Sequence, residues 1–411
     1  MNDSNFERDL KKYAYLIVET GANVQPGQTV VVAIAVDQQP LAHLIMEAAY
    51  ERGANEVIID WKDDLTTKNY LLHTTEKSLA TAPRYLEVQA KDRAADRVTR
   101  ISVVSSAPDA YAEVAADRIS AYQAARGRAL APVRKATQNN DLSWVVVAAA
   151  GRKWAQEVFS DLTDQAAVSA LWQEIFKTTR IDQPDPEAAW DQHVKALGLK
   201  ADWLNHQQFD ALHYVAPHTD LTVGLPQHHL WEAAGSYDAA HHFFIPNMPT
   251  EEVFTAPDRL RVNGTVRSTR PLSYAGTLIN QLQLTFKNGK IVEATAAEGE
   301  HVLQQLIETD AGSQYLGEAA LVPDNSPISQ SGIVFLNTLF DENAADHLAI
   351  GAAYPTNIRN GSTFTDSELL NAGLNISQVH VDFMIGSSKM AVDGLDKKGQ
   401  VTPIMRNGNW V

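Results

Sequence analysis

The sequence predicts an α/β amino-terminal domain on a mainly parallel sheet, followed by a larger α+β carboxyl-terminal domain whose antiparallel sheet carries a metal site. Three observations predict this. In the first half, β-branched runs alternate with amphipathic stretches, the rhythm of βαβ units. In the second half, alternating apolar residues flank Asn288-Gly289, the strongest short-range hairpin signal. The chain, at 411 residues, is also longer than one ordinary core accommodates, so two domains are expected.

From Asn5 to Thr20, Leu10, Tyr13, Ala14 and Ile17 recur at helical spacing, and Gly21 is a natural stop. Gln28 to Ile34, QTVVVAI, has the composition of a buried parallel strand. A helix from Pro40 to Arg52 and a strand from Glu56 to Asp60 follow, with further strands at Thr99–Ser105 and Ser143–Ala148. The turn after Ile34 reads AVDQQP, without the glycines that let a pyrophosphate approach a helix, so this half reads as a structural or substrate-framing domain. Asp60, Asp63 and Asp64 are read as solvated loop charges, and His43 and His73 as surface or core residues. A helix over 161–178 precedes DQPDPE, whose prolines mark a linker. The boundary is set near Pro184, giving domains 1–184 and 185–411.

Helices are expected over 188–199 and 201–211, then strand, turn and strand from His213 to Leu225. The pairs His228-His229 and His241-His242 are set aside as ligands, because adjacent residues on a strand face opposite ways. Strands at 259–269, 278–287 and 290–295 and a helix at 299–309 complete the antiparallel region.

Composition excludes several classes. A formal net charge of −16 disfavours phosphate-backbone binding, so nucleic acid is not expected as a partner. With no cysteine, thiolate sites and disulfides are ruled out. The charged first residues do not resemble a signal peptide, and no apolar run reaches a membrane span, so a cytoplasmic protein is expected.

Ionisable residues in apolar surroundings carry the chemistry. NMPTEEVFTAPDR places Glu251 and Glu252 side by side, either as half of a metal site or as the first turn of a helix capped by Thr250. Glu318 interrupts the apolar stretch YLGEAALV with no adjacent basic residue, and a bound cation would compensate it. Glu342 and His347 fall in DENAADHLAIGAAY, and His380 and Asp382 lie two apart in QVHVDFMI, on one face of a strand. Glu252, Glu318, His347, His380 and Asp382 form an oxygen-rich, sulfur-free donor set suited to Zn²⁺, Co²⁺, Mn²⁺ or Mg²⁺. Five donors exceed what one catalytic ion with an open position uses, and two ions sharing a carboxylate would use them all. Such a pair activates water and polarises a carbonyl, which points to hydrolysis.

At these residues the chain resembles the aminopeptidase T and aminopeptidase S family of bacterial metallopeptidases. The likeness rests on NMPTEEVFTAPDR, LGEAALV, DNSPI, GIVFLNTLFDENAADHLAIG and the H-x-D strand, and extends to FERDLKKYAYLIVETGANVQPGQTVVV. It implies removal of the amino-terminal residue from short peptides, two divalent ions per subunit, and a homodimer with sites facing an internal cavity. It also implies that Glu252, Glu318, His347, His380 and Asp382 are the ligands. Tyr354 would stand near the metals, and Glu251 or Glu342 would be the general base. Met248 and Asp346 are local departures at non-ligand positions. Competing readings are a metal-dependent amidohydrolase of a non-peptide substrate and a non-catalytic metal-binding protein.

Overall fold

A computed structural model describes residues 3–275 and 277–411. Met1 and Asn2, part of the segment read as lacking signal-peptide character, lie outside the described residues. The chain forms two compact units: one runs to His193 and includes Gly235–Pro249, the other comprises Val194–Ala234 and Thr250–Val411.

In the first unit, helix α1 (Asp3–Leu16) leads through a wider turn at Ile17–Gly21 to strand β1 (Thr29–Ala35). Helix α2 (Gln39–Glu51) carries Pro40 in its first turn, where a missing N–H costs nothing. Strands β2 (Glu56–Lys62), β3 (Thr99–Val104) and β4 (Trp144–Ala148) complete a parallel sheet in the order β2-β1-β3-β4. Val30, Val32 and Ile34 are fully buried, as β-branched residues in a sheet covered by helices should be. Helix α3 (Asp164–Thr178) stacks Trp172 and Phe176 against Phe6 and Tyr13 of α1, with ring centroids 5.2 to 6.3 Å apart within this aromatic cluster. The buried Tyr13 hydroxyl donates to Ala148 O at 2.9 Å and accepts from Ala148 N at 3.2 Å, tying α1 to the end of β4.

Three local expectations are corrected. Asp60 lies on β2 and accepts two hydrogen bonds from Arg93, at 2.7 and 3.1 Å, while Asp63 caps the helix Asp64–His73 through Leu65 N and Thr66 N. Asp64 accepts from the Ser106 and Tyr111 hydroxyls, so none of the three is merely a solvated loop charge. The two helices expected after the linker are one, α4 (Pro186–Gln207), because a single Gly198 weakens a helix without ending it. The division between the units falls inside α4. The strand expected over 278–287 is interrupted at Gln281, whose φ of 52° turns the chain between Thr277–Ile279 and Gln283–Lys287.

The second unit holds two further large sheets. Strands β5 (Ala211–Ala216), β6 (Thr219–Gly224), β7 (Val253–Thr255), β8 (Val262–Arg267), β9 (Gln283–Lys287) and β10 (Lys290–Thr295) are followed by helix α5 (Glu300–Ile307). Next come β11 (Leu316–Leu321), β12 (His347–Gly351), β13 (His380–Met384), β14 (Ala391–Leu395), β15 (Val401–Arg406) and β16 (Asn409–Trp410). One antiparallel sheet runs β10-β9-β8-β6-β5-β14-β15-β16 and the other β13-β12-β11-β7. The β9–β10 turn puts Asn288 and Gly289 at φ 50° and 82°. A Cβ on Gly289 would stand 1.7 Å from Arg259 O, so only glycine fits. Leu221, Val223, Leu284 and Leu303 pack with Ala319, Leu348, Ile350 and Phe383 in one core.

Tyr13→Phe should lower the urea midpoint by the equivalent of about 1–2 kcal/mol, because the end of β4 loses a buried hydrogen-bond partner. Equilibrium unfolding read by circular dichroism checks this. An unchanged midpoint would mean that the hydroxyl does not anchor α1.

Candidate metal centre

The register of the four-stranded sheet assembles the site. Glu318 on β11 and Asp382 on β13 both stand opposite Ala349 on β12. His380 stands opposite Gly351, and His347 opposite Ala320. Directly opposed residues share a face, and so do i and i+2, so all four ionisable side chains point to the same side. Phe254 on β7 pairs with Ala320, and Glu252, two residues earlier, extends the same face. The intervening residues Ala319, Leu348, Ile350, Val381 and Phe383 face the core. Gly317 shifts the register between Leu316 and Glu318, and a Cβ there would meet Ala352 O at 2.1 Å. Opposite the ionisable groups, Ala320, Ala349 and Gly351 leave space for donors to converge.

Two groups of donor atoms result, Glu252 with Glu318 and His347, and Glu318 with His380 and Asp382; within each, the atoms lie within 4.8 Å of one another. Glu318 belongs to both. His347 Nε2 is 3.1 Å from Glu252 and 3.3 Å from Glu318, while His380 Nε2 is 3.4 Å from both Glu318 and Asp382. Each imidazole is oriented by a backbone carbonyl: His347 Nδ1 meets Ala345 O at 3.2 Å and His380 Nδ1 meets Ala352 O at 2.7 Å. A carbonyl only accepts, so Nδ1 carries the hydrogen and a neutral ring presents the Nε2 lone pair to the carboxylates. Lone pair then faces lone pair. Such contacts persist only with a proton or a cation between them.

The electrostatics express the same demand. Burial alone would lower both imidazoles, yet Glu252 and Glu318 raise His347, and Asp382, Tyr354 and Glu318 raise His380, well above the usual range. Burial would raise Glu318, but the two histidines hold it down to about 2. Glu252 is pushed up by burial, partly offset by His347. The cluster gathers protons because its negative charge is uncompensated, and a divalent ion supplies the same compensation. Asp382 Oδ1 is buried without a hydrogen-bond partner, as an unfilled ligand position would be. Three carboxylates and two imidazoles without sulfur suit Zn²⁺, Co²⁺ or Mn²⁺.

The remaining candidates surround this set. Half-buried Glu342 is raised well above the carboxylate range, first by burial and then by Asp382 and Glu252. The Tyr354 ring packs edge-on to His380 at 5.1 Å and to Phe254 at 6.1 Å, and burial raises its hydroxyl. Glu251 is buried, and its N–H donates to Asn343 Oδ1 at 2.7 Å. Adjacent residues of an extended segment alternate, so Glu251 and Glu252 do not share a face. No helix forms at Thr250–Glu252; the chain runs extended into β7, and the capping alternative is excluded. Glu318 is 4% exposed, not solvent-facing. Asp346 accepts from Val322 N at 2.8 Å and fastens the end of β11.

Two residues escaped the sequence reading. Asn343, fully buried, also donates to Leu339 O at 2.9 Å and so joins the segment before β7 to the turn that carries Glu342. Glu232, bridged to Phe254 through its backbone, has a carboxyl that burial raises to about 7 and that feels Glu318. Neither stands in a spacing that marks it; only the tertiary fold brings them to the site.

Comparison with known proteins follows from this geometry. The model of the thermophilic metalloprotease family M29 matches residues 6–410. The chain belongs to this family. It is similar to aminopeptidase PepS of Streptococcus thermophilus, at 51% identity over 408 residues and 99% of each chain. It is 48% identical to aminopeptidase AmpS of Bacillus subtilis (strain 168), again over 99% of each chain. The solved structure of wild-type AmpT from Thermus thermophilus superposes with a TM-score of 0.91 at 39% identity, covering 99% of this chain and 100% of that one. The family resemblance and the two-class fold read from the sequence are thereby confirmed. The chain is an enzyme, a metal-dependent peptide-bond hydrolase of the exopeptidase type.

Asn343→Ala should destabilise the second unit by about 1–3 kcal/mol, because Glu251 N–H and Leu339 O lose their buried partner. Hydrogen exchange checks this at the Glu251 amide, where protection should fall sharply; unchanged protection would show that another group holds the segment.

Proposed function

We propose that the protein is a dinuclear aminopeptidase that hydrolyses the amino-terminal peptide bond of short peptides. Glu318 carries the proposal, because one carboxylate stands between two oriented imidazoles and belongs to both donor groups. In this reading Glu252 and His347 would hold one ion, His380 and Asp382 would hold the other, and Glu318 would serve both. The ions supply Lewis-acid polarisation of the carbonyl and a nucleophilic water at neutral pH. Zinc and cobalt suit the donors best, since two imidazoles favour borderline ions over magnesium.

The chain's own groups supply the rest. Glu342, beside Asp382 and Glu252, is assigned the proton transfer from the attacking water to the leaving amine. Glu251, the other carboxylate considered for that role, is assigned to bracing through Asn343. Tyr354, whose ring packs against His380 and Phe254, is assigned the donation of a hydrogen bond from its hydroxyl to the oxyanion of the tetrahedral intermediate. The first unit serves as scaffold and frames the substrate, the second carries the chemistry, and the enzyme acts as a cytoplasmic homodimer. No helix among the described residues is long and apolar enough to cross a membrane.

Chelation should abolish release of amino-terminal residues, and Zn²⁺ or Co²⁺ should restore it; full activity in a demonstrably metal-free sample would sink the proposal. Glu318→Gln should reduce bound metal from two ions per chain while circular dichroism stays unchanged. Elemental analysis that finds wild-type stoichiometry in this variant would remove the bridging role. Acetylation of the peptide's amino terminus should suppress cleavage by about 100-fold or more, the scale of losing a charge-assisted contact in a desolvated site. Equal rates on blocked and free peptides would refute exopeptidase recognition.

A further inference from the structure

A cavity of about 360 Å³ lies in the first unit at the carboxyl edge of the parallel sheet. This volume falls at the small end of ligand sites, roughly 300–1,000 Å³. Its position has a topological reason. It is lined by the segments that leave the carboxyl ends of β1 and β4, the end of an open α/β sheet at which ligands bind. The turn after β1 and the turn after β4 meet there, where Gln38 Nε2 donates to Ala150 O at 3.3 Å.

The lining has two characters. Leu10, Leu41 and Trp172 give an apolar wall, with Trp172 fixed edge-on against Phe6 at 5.6 Å. Asp37 and Arg152 also line the cavity, both exposed, and neither forms a hydrogen bond or ion pair among the described residues, not even with the other. Asp164, the other charged residue of the lining, is already engaged by the Gln156 amide. One free carboxylate and one free guanidinium beside an apolar wall match a ligand with an ammonium, a carboxylate and an apolar side chain. A phosphate ligand fits poorly, since two carboxylates line the cavity and the β1 turn has no glycine to admit it.

We propose that this cavity binds a free α-amino acid with an apolar side chain. Its carboxylate pairs with Arg152, its ammonium with Asp37, and its side chain lies against Leu10, Leu41 and Trp172. Free amino acids are what an aminopeptidase releases, so the cavity would sense the product; that link alone rests on the aminopeptidase reading.

Isothermal titration of L-leucine into the metal-loaded protein tests it. Two classes of site are expected in the wild type. In Arg152→Ala and in Asp37→Asn, one class should weaken about tenfold or more, the scale of one charged hydrogen bond. Both residues are exposed, so initial peptidase rates without added amino acid should not change. L-Leucinol, which lacks the carboxylate, and N-acetyl-L-leucine, which lacks the ammonium, should fail to fill that class. A single class in the wild type, or identical isotherms in wild type and both variants, would overturn the proposal. A protein that binds leucine at the Arg152-dependent class yet cleaves no peptide would refute the aminopeptidase reading and leave this one standing.

Discussion

Burying three carboxylates against two imidazoles is the constraint on which the second unit is built. Each ion taken from water costs several kcal/mol, and the Coulombic return repays this only when geometry and compensation are both good. Glu252, Glu318 and Asp382 are all under a tenth exposed, so the cost is fully incurred. The sheet β13-β12-β11-β7 accepts it by giving its opposite face to Ala319, Leu348, Ile350, Val381 and Phe383, which bury into the main core. Alternation along each strand makes those two faces inseparable. A slip of one residue on β13 would turn His380 and Asp382 into the core and Val381 and Phe383 toward the carboxylates, so core and donor set enforce a single register.

Small residues and backbone carbonyls refine this arrangement. Ala349 stands between Glu318 and Asp382, and a larger side chain there would occupy the space into which both carboxylates reach. Gly351 has φ 112°, and a Cβ on it would meet Val379 O at 2.1 Å, so the end of β12 passes close beside the chain entering β13. The carbonyls of Ala345 and Ala352 then fix the two rings through Nδ1. These contacts cost no side-chain entropy on the acceptor side, and they leave both Nε2 atoms aimed at the shared carboxylate before any ion arrives.

The candidate donors were legible because they break local patterns. Glu318 stands out as a charge within an apolar run, and His380 and Asp382 stand two apart on a strand, where period 2 alone puts them on one face. The supporting groups were not legible, because their partners are distant in sequence. Asn343 acts on Glu251 across 92 positions, and Asp346 acts on Val322 across 24. Asp60 looked like a loop charge because its partner Arg93 lies a helix away. The interruption at Gln281 was hidden for another reason: nothing in LINQLQLTFK announces a positive φ at a glutamine. Which residues are chemically out of place is local information, whereas what holds them there is not.

Charge balance bears on the number of ions. With both histidines neutral, Glu252, Glu318 and Asp382 contribute three negative charges. One divalent ion would leave the buried set at minus one, and an ionised Glu342 would make that minus two. Two divalent ions bring the three carboxylates to plus one, and Glu342 as carboxylate brings the sum to zero. A sheltered site at low dielectric strongly disfavours residual charge, so the dinuclear state is the one in which Glu342 can be ionised without penalty. The burial and like charges that push the Glu342 proton affinity up without compensation would then be reversed by the ions themselves. In the proposed reading, two bound ions would favour the ionised form of Glu342, the form that can take a proton from water.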